Sequence, residues 1–251
     1  MLPRAFDIQQ YAIDVGAYVH AFEALRETRA SVGVAPVGAA FVSLGQNCST
    51  AWYLKASGKR SCSTPFDWIF SSPQIVEDCI RGDFRDFLDP RFVVPVDETC
   101  AGHTRYHRRL FNHRNPLVGA NHAYYERCVA RFRALYASAR PIVFVSTALP
   151  EHAARPAWSE GFVCEFAAPA NVDPLAEYAS LSALLEERAA PTRLVVLQQR
   201  TCQERPRFEL IGHDDELSAF AFDVCGASTG VYYLNALDEA LARAVYGTLC
   251  A

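Results

Sequence analysis

Short, uninterrupted apolar runs constrain this chain more than any other feature. Gly38–Leu44 (GAAFVSL), Ile142–Val145 (IVFV) and Leu194–Leu197 (LVVL) are too short for helices that must bury a face. They also lack the alternation of a strand with one wet side, so each predicts a strand buried on both faces. Val231–Leu234 (VYYL) is expected as a last strand. Amphipathic stretches lie between these runs. A helix is expected from about Cys48 to Gly58. Another starts at Ser72-Pro73, turns Ile75, Val76, Cys79 and Ile80 inward, and stops at Gly82. Residues 121–138 place Tyr125, Cys128, Val129, Phe132 and Tyr136 on one face, and Asp173-Pro174 and Asn235 open two further helices. This alternation predicts a layered α/β fold, a mixed or parallel sheet flanked by helices. Residues 88–118, rich in Pro, Gly and His, are expected to be an irregular functional loop. Ile8, Tyr11, Val15, Tyr18, Val19, Phe22 and Leu25 have helical spacing. Residues 1–36 are therefore expected to form a leading helix and linker that covers the core or a partner subunit, and 37–251 a single catalytic-type domain.

Composition excludes several classes. Apolar residues make up 51% of 251 and charged residues 21%, the balance of a globular protein with a sizeable core. A net charge of −4 favours neither nucleic acid nor an anionic membrane as partner. No run approaches the length of a membrane span, and no basic-then-apolar start marks a secretory signal. Nine cysteines without a CxxC pair read as reduced thiols, so a cytoplasmic setting is expected.

One cysteine stands apart. In Ser43-Leu44-Gly45-Gln46-Asn47-Cys48-Ser49-Thr50, a thiol falls in the first turn of a helix directly after a buried strand. The positive end of the helix dipole there favours a thiolate. The unpaired backbone N–H groups of the first turn suit the oxyanion of an attacked carbonyl. Gln46 or Asn47 adds a side-chain donor, and Gly45 lets the turn approach a ligand closely. The competing reading is a buried core cysteine, the ordinary fate of a free thiol.

These residues carry a resemblance. Ser43-Leu44-Gly45-Gln46-Asn47-Cys48, then Arg60 with Ser63, then Pro65-Phe66-Asp67-Trp68-Ile69, resemble the opening of a bacterial family of papain-like cysteine peptidases. Phe111-Asn112-His113-Arg114-Asn115-Pro116, with the helix and strand that follow, is similar to the later part of that family, so the resemblance spans about 38–147. The family often has His-Asp where this chain has His113-Arg114, and Arg where its strand reaches Ser146. The resemblance implies a papain-like α+β arrangement as the alternative fold, and a cysteine nucleophile with a histidine partner.

A cysteine nucleophile needs a base. Of seven histidines, His20 lies in the leading helix, and His122, His152 and His213 suit the surface. His103, His107 and His113 share the loop, and His113, which also carries the resemblance, is the expected base. Asp67 is the candidate to orient its imidazole; pairing with Arg60 or capping a turn is the competing role, and Asn112 and Asn115 are weaker candidates. Cys100, His103, His107 and His113 have spacings that suit zinc but lack a second cysteine pair, so no metal is expected. Cys79 and Arg85 match a phosphatase spacing, but Cys79 lies on a helix's apolar face. The expectation is a cofactor-free, cysteine-dependent acyl-transfer enzyme acting on a peptide, amide, thioester or other small acyl substrate. Its catalytic residues are Cys48, His113 and Asp67, with Gly45, Gln46 and Asn47 around the oxyanion. The alternative is a non-catalytic binding module on the same scaffold, and a homo-oligomer through the N-terminal helix is compatible with either.

Overall fold

Five strands form a sheet in the order β1-β5-β6-β8-β7. In the computed structural model, which describes residues 14–32, 35–150, 156–167 and 173–249, β1 is Ala40–Gly45, β5 Ile142–Ala148, β6 Thr192–Arg200, β7 Arg207–His213 and β8 Leu217–Asp223. β1, β5, β6 and β8 run parallel, and β7 is an antiparallel edge strand hairpinned to β8. The three apolar runs of 38–44, 142–145 and 194–197 are the adjacent strands β1, β5 and β6, as their two-sided burial requires.

Successive side chains on these strands feed two cores. On one face Val42, Leu44, Phe144 and Val196 pack against α3 (Pro73–Arg81), α4 (Gly119–Tyr136) and α6 (Pro174–Glu186). On the other face Val143, Val145, Val195 and Phe220 pack against α1 (Val15–Ser31), α2 (Cys48–Ala56) and α7 (Ala236–Leu249). Tyr18, Ala21 and Leu25 of α1 are buried in the second core, and the Tyr18 hydroxyl donates to Asp238 at 2.5 Å. The inner face of the leading helix is therefore spent within the chain. Its start near Ile8 lies outside the described residues, as does His152.

The expected caps are in place. Ile75 N–H donates to Ser72 Oγ (3.2 Å), Leu175 N–H to Asp173 Oδ1 (3.0 Å) and Leu237 N–H to Asn235 Oδ1 (2.9 Å). Cys79 is a core residue, 1% exposed.

Two expectations are corrected. Residues 88–118 are not a loop throughout: β2 (Val93–Pro95), β3 (Ala101–His103) and β4 (His107–Phe111) form a small antiparallel sheet. Val231–Leu234 is not a strand. Only an isolated bridge joins Ser228 and Tyr233, and Thr229 accepts and donates the bonds that fold this stretch as a turn. A short helix α5 (Pro156–Ser159) completes the described elements with a 3-10 turn at Cys164–Phe166.

His103 and His107, at 0% exposure, belong to that small sheet. Arg109 N–H donates to His107 Nδ1 (2.9 Å), so the ring proton sits on Nε2 and donates to the Trp158 carbonyl (2.8 Å). Burial, and secondarily Arg108 and Arg109, push this histidine down from 6.5 to about 4 against the Trp158 bond. A histidine with a depressed folded pKa contributes stability above its free pKa and loses it as pH falls through the folded one. The urea midpoint is therefore expected to fall between pH 6.5 and 4, and His107→Asn should flatten that slope. An unchanged slope in the variant would assign the acid sensitivity elsewhere.

Candidate active site

β1 and β5 are neighbours, but α2 after β1 packs on one face and α6 after β5 on the other. The chain therefore leaves the C-terminal ends of these two strands toward opposite faces, the place where open parallel α/β sheets bind ligands. The turn that carries Cys48 sits at this end.

Gly45 ends β1 with φ +84°, and a Cβ there would stand 2.3 Å from Ser71 Oγ, so the position accepts only glycine. The Gly45–Gln46 peptide is cis. Bonds from several elements hold the turn. Ser71 Oγ donates to Leu44 O (2.8 Å) and Ser71 N–H to Gln46 O (3.2 Å). Thr50 Oγ1 (3.3 Å) and Ser146 Oγ (2.9 Å) both donate to Gly45 O.

The two amide side chains have different roles. Leu149 N–H donates to Gln46 Oε1 (2.9 Å), which fixes the amide's orientation. Gln46 Nε2 then donates to Tyr178 Oη (3.0 Å) and Glu177 Oε1 (3.2 Å), so both its hydrogens are spent on the scaffold. The expectation that Gln46 offers an oxyanion donor is thereby narrowed to Asn47. Asn47 is the N-cap of α2; its Oδ1 accepts from Ser49 N–H (3.1 Å) and Ser49 Oγ (2.5 Å). That leaves Nδ2 as a donor with no partner among the described residues, on a residue 3% exposed. A buried donor without an acceptor costs about 1–3 kcal/mol and calls for an explanation.

Cys48 is the first residue of α2 and 2% exposed. Burial, and then the Asp67 carboxylate, push its thiol up from 9.0 to about 12, while its own backbone N–H pulls the other way. The expected thiolate is thus corrected to a resting thiol, because desolvation and a nearby negative charge outweigh the helix end.

Asp67 is 1% exposed and pairs with Arg60 Nη2 at 2.5 Å. Thr64 N–H donates to its Oδ2 and Thr64 Oγ1 to its Oδ1, both at 2.9 Å. Burial raises its carboxyl pKa, and Arg60 and Thr64 hold it back. Arg60 also donates to Ser63 Oγ (2.7 Å) and lies 5.6 Å over the Trp68 ring. Phe66 turns into an aromatic cluster with Phe84, Phe87 and Phe132, so the Phe-Asp-Trp box sends one residue to the core, one to the ion pair and one outward.

His113 meets that outward Trp68 edge-on, with centroids 6.3 Å apart. It is exposed and makes no hydrogen bond among the described residues. Partial desolvation of its ring and then Arg114 lower its pKa, and it is not among the groups acting on the Cys48 thiol. The structure brings Asp67 to the Cys48 neighbourhood and places His113 against Trp68, the residue next to Asp67, without bringing it to the thiol. Asn115 is a loop brace, accepting from Leu117 N–H and donating to Asp97 O. Among the described residues no three metal-ligating side chains converge. Glu177 and Tyr178 were not singled out as site residues in the sequence, and Ser146 stood out only as a departure from the family's pattern. A serine at the C-terminal end of a buried strand was the one available signal.

A thiol at a strand-to-helix turn, beside a buried amide Nδ2 with no hydrogen-bond partner among the described residues, marks the candidate site. Comparison with known proteins agrees in part. Residues 39–111 match the model of a family described as "Putative papain-like cysteine peptidase (DUF1796)", which associates the segment holding Cys48 with cysteine-dependent hydrolysis. No curated protein and no solved structure matches the chain. No helix among the described residues is long and apolar enough to cross a membrane.

Proposed function

We propose that this protein is a cysteine-dependent acyl-transfer enzyme in which Cys48 attacks a carbonyl carbon. Asn47 Nδ2 supports this reading most directly, because an oxyanion at the α2 N-terminus supplies the acceptor that this buried donor lacks. In the proposed step, His113 takes the thiol proton as the Cys48 Sγ–carbon bond forms. Breakdown returns that proton to the leaving group and leaves a thioester on Cys48. Water then yields a hydrolase of a peptide, amide or thioester, and another nucleophile yields an acyltransferase. His113 reaches the thiol by moving inward past Trp68, a rearrangement of the kind that tightens catalytic contacts when substrate binds. Asp67 serves the ion pair with Arg60 and sits too fully bonded to be the sole orienting group. No cofactor is needed.

A second reading is favoured by one observation: Cys48 is 2% exposed, and burial pushes its thiol up to about 12, which leaves it unreactive at neutral pH, as in a non-catalytic binding module. The two readings separate on exposure to p-nitrophenyl acetate followed by peptide mass mapping. The enzyme is expected to acquire an acetyl group on Cys48, lost in Cys48→Ala and formed roughly a hundredfold more slowly in His113→Ala. A wild-type protein acetylated no faster at Cys48 than at its other thiols supports the binding module.

A further inference from the structure

The directions of the hydrogen bonds around Gln46 can be worked out completely. Gln46 Nε2 donates to Tyr178 Oη, because Leu149 has fixed the amide oxygen on the other side. Ser146 Oγ donates to Gly45 O, so at its contact with Tyr178 (2.8 Å) it accepts and Tyr178 donates. The bonds form a closed ring: Gln46 to Tyr178, Tyr178 to Ser146, Ser146 to Gly45, and Gly45 back to Gln46 through the chain. Only the second Nε2 hydrogen leaves the ring, and Glu177 Oε1 receives it. Gln46, Ser146 and Tyr178 are all buried, with 0–2% exposure. One carboxylate on α6 is thus the one acidic side chain hydrogen-bonded to the ring among the described residues, and Gln46 of the ring is two residues along the chain from Cys48.

We propose that Glu177 is a positioning residue for Cys48, holding the Gln46 amide and through it the turn that aims the thiol, so that α6 is part of the active site. This rests on the acyl-transfer reading of Cys48 and extends it to a residue outside the matched stretch 39–111. Burial lifts the Glu177 carboxyl from 4.5 to about 7, with the Gln46 bond opposing. Its charge therefore changes in the neutral range. Above that pKa the bond to Gln46 is charge-assisted, and below it the bond is an ordinary neutral one of about half the strength. Other charges facing α6 lie further along it. Glu77 of α3 accepts from Ser180 Oγ, and Arg81 of α3 bridges Glu77 and Glu187. Asp78 is tied to Arg105 and Tyr106, and the sheet presents Leu194, Val196, Leu217 and Ala219. None of these is among the groups acting on Glu177.

The test is the rate of Cys48 acetylation by p-nitrophenyl acetate across neutral pH in wild type, Glu177→Gln and Glu177→Ala. Cys79, a core thiol, reports any opening of the fold. The wild type is expected to lose rate below pH 7 faster than thiol ionisation alone accounts for. Glu177→Gln offers the same acceptor without the titration, so it should keep the rate above pH 7 and lose that extra fall. Glu177→Ala should be slower by roughly tenfold, in line with the loss of one charge-assisted bond. If it fails to fold, the Glu177→Gln profile decides alone. Wild-type acetylation of Cys48 with an unchanged profile in Glu177→Gln overturns this inference and spares the enzyme reading. A wild type inert at Cys48 overturns both.

Discussion

Arg60→Leu is expected to destabilise the protein by about 3–5 kcal/mol, the cost of stranding a buried charge whose partner is removed. Asp67 is 1% exposed, and without Arg60 its carboxylate keeps only the two bonds from Thr64. The double variant Arg60→Leu/Asp67→Asn should recover a large part of the loss. An asparagine at 67 still accepts from Thr64 N–H and donates to Thr64 Oγ1, and no charge is left buried. Urea denaturation of the two single variants and the double measures this as a cycle. A loss below about 1 kcal/mol in Arg60→Leu, the range of exposed ion pairs, would mean that water reaches Asp67. The same substitution bears on chemistry. Asp67 is the charge that raises the Cys48 thiol after burial itself, so Asp67→Asn should bring that pKa down from about 12 toward 9.0. Titration of the thiolate absorbance in a variant lacking the exposed Cys62, Cys164 and Cys202 reads this shift directly.

Gly45→Ala is expected to abolish Cys48 acylation and to cost about 2–4 kcal/mol. Part is the left-handed backbone at φ +84°, worth about 1–2 kcal/mol for a residue with a Cβ. The rest is the contact of that Cβ with Ser71 Oγ at 2.3 Å, which forces Ser71 off Leu44 O and loosens the turn. Adding Ser71→Ala should relieve the contact but not the backbone, restoring some stability and no activity. Should Gly45→Ala alone retain wild-type acylation, the turn would not be what aims the thiol.

What the sequence made legible follows from how local each signal is. The buried runs of β1, β5 and β6, the caps at Ser72, Asp173 and Asn235, and the placing of Cys48 at the start of α2 are each written within a few residues. The β7–β8 hairpin went unrecognised because the edge strand Arg207–His213 is largely wet and irregularly patterned, and β8 becomes a core strand only through pairing with β6. Val231–Leu234 has strand-like residues, but Tyr233 is drawn to Gln199 and Tyr232 to Thr229 and Trp52. At the site, Gln46 and Asn47 were indistinguishable as neighbouring amides. Their separation depends on Leu149, Tyr178 and Glu177, which arrive about a hundred residues later or more. The Cys48 pKa was misjudged for the same reason: the helix end is visible locally, whereas the burial that overrides it is a property of the whole packing.

The strand that leads into Cys48 bonds on its sheet side to β5 alone, and β5 begins 31 residues after the matched stretch ends at 111. The recognisable signature is therefore not a module. Excised or transplanted by itself, it would bring Cys48 and Asn47 but not the strand against which β1 pairs. A graft of this chemistry onto another protein has to carry the β1–β5 pair and the head of α6 together, and fragments chosen by motif boundaries should express as insoluble chains.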